Sequence, residues 1–167
     1  MLFFLYFLPM QLCAKPLLEI IDLAWCSGIS SHQNLQESNK PIGFYRSGHA
    51  PKHAKLYLWM KVQGGQKALD RLKDGKSLRI VQKWQRLVHF QTKTERIKVS
   101  IGKKSLSQQT LRRLQHEVNE RGYFDWRTWD SKKNFDAKKY TVSFSGYKRK
   151  QLDCQDSLNC PMEINIQ

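Results

Sequence analysis

Acidic side chains are scarce in this sequence. Fourteen Asp and Glu stand against 29 Lys and Arg, giving a formal charge of +15 over 167 residues. The few carboxylates are scattered, so no facing pair suits glycoside cleavage by general acid–base chemistry. A phosphate-cradling loop is also missing, because "QGGQK" at residues 63–67 lacks the spacing and following helix of a Walker motif. No G-x-S-x-G elbow occurs. The four cysteines show no C-x-x-C spacing, and the histidines at 32, 49, 53, 89 and 116 lack zinc-ligand spacing to them. His116 sits alone beside Glu117 on a helical stretch and reads as a surface residue. Cys26 in "AWCSG" has no His and Asn context that would make it a nucleophile. No internal repeat is present. These absences predict a module that is not an enzyme and carries no cofactor and no metal.

What is present begins with an apolar leader. "MLFFLYFLPMQLCA" is uncharged and ends in small residues. It is shorter than the roughly 20 residues that cross a bilayer as a helix, and it fits the apolar core of a secretory signal cleaved after Ala14. The expectation is a periplasmic or secreted protein with no transmembrane helix in its mature chain. Loss of Cys13 would leave Cys26, Cys154 and Cys160 in an oxidising compartment. Cys154 and Cys160 bracket the turn-prone "QDSLN" and are the first candidates for a bridge; Cys26 to Cys154 is the alternative.

Charge is placed unevenly. Lys15, Lys40 and Arg46 balance Glu19, Asp22 and Glu37, so the whole excess lies beyond residue 50. Such a surface attracts polyanions. Between residues 132 and 150 seven basic side chains (132, 133, 138, 139, 148, 149 and 150) meet one acid, Asp136.

Alternation dominates the pattern. "LLEIIDLAWC" reads as a first strand, followed by a long polar loop broken by Pro41, Gly43, Gly48 and Pro51. In "AKLYLWMKV", Leu56, Leu58 and Met60 share one face and Tyr57 and Trp59 the other, as in a central strand. "QKALDRLKDGK" has weak helical spacing. Leu78, Ile80, Gln82 and Trp84 then oppose Arg79, Val81 and Lys83. Ile97, Val99 and Ile101 point inward, with Lys98 and Ser100 outward. Tyr140, Val142 and Phe144 form one face of "KYTVSFSG", and "YKRKQLDC" reads as a final strand returning beside it after Gly146. One segment is firmly helical, with Ser107 as N-cap, Leu111, Leu114 and Val118 at helical spacing, and Gly122 ending it. The pattern predicts a mainly β, immunoglobulin-like antiparallel β-sandwich of about seven strands with one inserted α-helix at 107–121. Residues 1–14 are the leader, 15–53 the first strand and loop, 54–160 the sandwich core and 161–167 a tail.

"YFDWRTWDSKK" combines both roles of a strand. Phe124 and Trp126 fall on a core face; Arg127 and Trp129 fall on the other, with Lys132 and Lys133 beyond. Arg127, Trp129, Lys132, Lys133, Lys138, Lys139, Lys148, Arg149 and Lys150 are therefore the candidate ligand residues, with protection of an exposed edge as the competing explanation for the lysines. The expected partner is an envelope protein or an anionic surface component. A polyanion or nucleic acid is a second class, and a carbohydrate stacked on Trp129 or Trp59 a third.

"WRTWDSKK" followed by "KKYTVSFSGYKRKQL" resembles the C-terminal half of a proteobacterial envelope family catalogued as a domain of unknown function. Trp126, Arg127, Ser131 and Lys132 match its first strand; Tyr140, Val142, Gly146 and Leu152 match the next strand and turn. Gln82 stands where that family tends to have His, and Asp130 where it has Ser. The resemblance implies a periplasm-facing β-sandwich and no known activity.

Overall fold

The alternating segments pair, in a computed structural model, into two sheets of five strands each. The structure describes residues 17–30, 39–45, 48–102, 106–146, 152–154 and 161–167. The leader, residues 148–150 and Cys160 lie outside the described residues. In chain order the elements are β1 Leu18–Ile29, β2 Pro41–Phe44, β3 His49–Ala50, β4 Leu56–Gly64, α1 Gln66–Lys73, β5 Leu78–Val88, β6 Gln91–Ile101, α2 Gln108–Arg121, β7 Phe124–Lys132, β8 Lys139–Ser145, β9 Asp153–Cys154 and β10 Met162–Ile166. The first sheet runs β2-β1-β4-β7, with β9 also on β1; the second runs β3-β10-β8-β5-β6. The chain is mainly β, as two sheets consistent with a sandwich.

Alternation drives this arrangement. Leu56, Leu58, Met60 and Val62 of the central β4 are fully buried and face Ile80, Trp84, Val142 and Ile164 of the second sheet within one core. Each such side chain stabilises by roughly 1.5–3 kcal/mol relative to exposure. A bulge between Ile20 and Asp22 shifts β1 by one residue. Leu18 and Ile20 before it, and Leu23 and Trp25 after it, can therefore all serve the core, although their parity differs. Trp25, Trp84, Tyr140 and Phe135 continue as a chain of edge-to-face rings, with centroids 5.4, 6.1 and 5.4 Å apart.

The expected helix is present and capped as read. Ser107 Oγ accepts from the Thr110 N–H at 3.1 Å, and Gly122 takes the left-handed conformation at φ 82°. A second helix, α1, was legible only as weak spacing. Its single turn pair buries Ala68, Leu69 and Leu72 and packs against α2. The count is thus ten strands and two helices among the described residues, where about seven and one were expected.

Three further expectations are corrected. The supposed tail at 161–167 is β10, which lies between β3 and β8 in the second sheet and buries Ile164 completely. Of the supposed final strand only residues 152–154 are described, and the strand neighbours of β8 among the described residues are β5 and β10. Leu152 returns one hydrogen bond to Phe144 O at 3.3 Å, and β9 then crosses to pair with β1 in parallel. The long loop also carries the short strands β2 and β3.

Candidate anion-binding surface

The predicted cluster does not form one patch. Arg127 and Trp129 lie on the outer face of β7, opposite Lys61 and Trp59 of β4. Arg127 lines a groove of about 990 Å³ with Asp22, Lys61, Trp59 and Tyr45. Trp129 is 37% exposed, whereas Trp59 is buried and donates its Nε1–H to Asn39 O at 2.6 Å. Trp59 is therefore no exposed stacking platform. Lys132 faces the other way: its ammonium pairs with Glu95 of β6 and lies 5.8 Å from the Trp84 ring centroid. Lys139 pairs with Glu163 at 2.8 Å, while Lys133 and Lys138 are exposed. Cys26 is a buried thiol whose Sγ lies 3.8 Å from Tyr57 O. Burial pushes its pKa up, which disfavours the thiolate.

The structure gathers cations elsewhere, on the outer face of the second sheet. The same alternation that buries Leu78, Ile80, Gln82 and Trp84 turns Arg79, Val81 and Lys83 outward. On β6, Arg96 and Lys98 are exposed. The register places Lys83 directly across from Arg96, with Ser143 of β8 on its other side. Val81 sits between Lys98 and Ser145, and Arg79 stands opposite Ser100. Four cations thus share a face with Val81 and the hydroxyl side chains of Ser100, Ser143 and Ser145.

Several cations outside this face are held by carboxylates. Lys61 is held by Asp125 at 3.2 Å, Arg86 by Asp136 at 2.6 Å, and Arg113 and Arg121 by Glu117 at 2.5 and 3.0 Å. Among the described residues, no carboxylate lies within ion-pair distance of Arg79, Lys83, Arg96 or Lys98. Like charges directly opposed across two strands are destabilising. The Lys83–Arg96 pair therefore carries a cost that no carboxylate offsets, whereas in the opposed pairs Lys61–Arg127 and Arg86–Lys93 one member is held by an acid.

At one end the face opens into the molecule. β8 stops at Ser145, opposite Val81, and among the described residues Leu78 to Ile80 of β5 have no strand partner on that side. A cleft of about 500 Å³ there is lined by Leu17, Leu78, Leu152, Arg79 and Lys98.

Among the described residues no group of three or more His, Cys, Asp or Glu side chains could hold a metal. None of the described helices is long and apolar enough to cross a membrane. The described residues thus form a two-sheet β protein with a cationic face on the second sheet. No family model, curated protein or solved structure matches the chain.

Proposed function

We propose that this protein is a non-catalytic, exported module, an immunoglobulin-like sandwich in our reading, that holds an anionic component of the bacterial envelope. The ligand lies on the outer face of the second sheet, against Arg79, Lys83, Arg96 and Lys98. The observation that carries the reading is the opposition of Lys83 and Arg96 without a neighbouring carboxylate. The envelope part rests on the apolar leader and on the resemblance of residues 126–152, not on the face itself.

A labelled dextran sulfate serves as a generic polyanion probe. Its affinity should fall steeply as salt is raised, and Lys83→Glu with Arg96→Glu should weaken it by roughly tenfold or more. Lys133→Glu with Lys138→Glu should change it little. Equal binding by the parent and the Lys83/Arg96 variant would overturn the assignment of the face. Recovery of the chain in the cytosol still starting at Met1 would remove the exported part.

A further inference from the structure

The β5–β6 hairpin ends in a feature that anion binding on the sheet face does not use. Val88 and Gln91 are its last paired residues, so His89 and Phe90 form a two-residue loop. Both adopt positive φ, 48° and 61°. Loops of this kind favour Asn-Gly, because bulky side chains are strained in the left-handed region. Phe90 is nevertheless 99% exposed, and Leu87 beside it is 63% exposed. β8 pairs with β5 only from Val81 to Arg86, so the tip extends past the third strand. Strain without burial contributes nothing to folding.

Cations lie further back on the same hairpin. Lys83 faces Arg96 on the sheet face that Leu87 shares, and Lys93 opposes Arg86 on the other face; among the described residues none of Lys83, Lys93 and Arg96 has a carboxylate within ion-pair distance. Arg86 at the base is anchored to Asp136. Two apolar side chains are too few for a stable protein interface, which covers about 800 Å² on each partner. They suit shallow insertion at a lipid boundary, where apolar contact and attraction to anionic headgroups act together.

We propose that the β5–β6 hairpin docks on an anionic lipid bilayer, with Phe90 and Leu87 entering the headgroup boundary and Lys83 and Arg96, further back on the face that Leu87 shares, meeting the lipid phosphates. This deepens the anion-binding reading by naming the partner.

The test is flotation of the full chain with vesicles of phosphatidylglycerol and phosphatidylcholine in equal parts, against vesicles of phosphatidylcholine alone. The parent should bind the mixed vesicles and leave the neutral ones. Phe90→Gly relieves the strained loop and so should fold at least as stably. It should bind mixed vesicles about tenfold or more weakly, yet keep its affinity for dextran sulfate. Unchanged vesicle binding by Phe90→Gly, or equal binding of neutral vesicles by the parent, would overturn the proposal. Phe90-dependent flotation with no dextran sulfate binding would support the tip while removing the wider face.

Discussion

Arg86 of β5 and Asp136 in the β7–β8 link form a two-point ion pair, with Nε 2.6 Å from Oδ1 and Nη2 donating to Oδ2 at 3.0 Å. Tyr140 completes the clamp by donating to Oδ1 at 2.7 Å and accepting the Asp136 N–H at 3.0 Å. The Tyr140 hydrogen bond, aided by Arg86, holds the Asp136 carboxyl below its ordinary range. Burial, with Asp136 beside it, pushes the Tyr140 phenol up.

Stability should follow both shifts. The folded Asp136 pKa is depressed, so its contribution is complete above about pH 3.9 and is lost as pH falls through the lower folded value. The folded Tyr140 pKa is raised, so its contribution is complete below about pH 10 and is lost as pH rises through the folded value. The melting temperature of Asp136→Asn should lie below the parent's at neutral pH and converge with it in acid. A gap that stays constant from neutrality to about pH 3 would contradict the clamp.

Gln82 is fully buried between the sheets, where its Oε1 accepts the Trp84 Nε1–H at 2.9 Å. Its Nε2 faces Met60 Sδ at 3.9 Å. Gln82→Ala strands a buried indole N–H and opens a cavity, and should cost about 2–4 kcal/mol. Gln82→Met keeps the volume and loses the acceptor, at about 1–3 kcal/mol. Urea midpoints at unchanged slope would measure both.

Much of this fold was legible because strand alternation is a local property. β5, β6 and β8 each bury one parity of their own sequence, β4 buries its even residues together with Trp59, and α2 carries its cap residues within the chain. The bulge in β1 was not legible, since nothing between Ile20 and Asp22 marks a register slip. Nor was the crossing of β9, which depends on which sheet accepts it. β10 could have been read from the alternation of Met162, Ile164 and Ile166. The split between Arg127 and Lys132 was also available: the two differ in parity, so alternation alone sets them on opposite faces. The cationic face was half visible, as outward residues on two strands. Its Lys83–Arg96 register was hidden because His89-Phe90 is not a turn signal.

Gly64 closes β4 opposite Phe124 of β7. A Cβ there would lie 2.6 Å from Phe124 Cζ and 3.0 Å from Ala68 Cβ, and Phe124 is fully buried. Gly64→Ala should therefore cost about 1–3 kcal/mol through overpacking. Phe124→Leu in the same background should recover part of that, so the two changes will not add. Gly28 has open space around its Cβ direction, and Gly28→Ala should stay within about 0.5 kcal/mol of the parent.

The last prediction joins stability to binding at one position. If Lys83 faces Arg96 for the sake of an anion, reversing its sign should improve the fold and impair the ligand. Lys83→Glu creates an opposite-charge pair across β5 and β6 and should gain about 0.2–1 kcal/mol in chemical denaturation at low salt. The same variant should bind dextran sulfate more weakly, and both effects should shrink together as salt is raised. A Lys83→Gln variant removes the repulsion without adding an acid, and should fall between the parent and Lys83→Glu on both measurements. A Lys83→Glu protein that loses stability would show that Lys83 serves the fold, and that the cationic face needs no ligand to explain it.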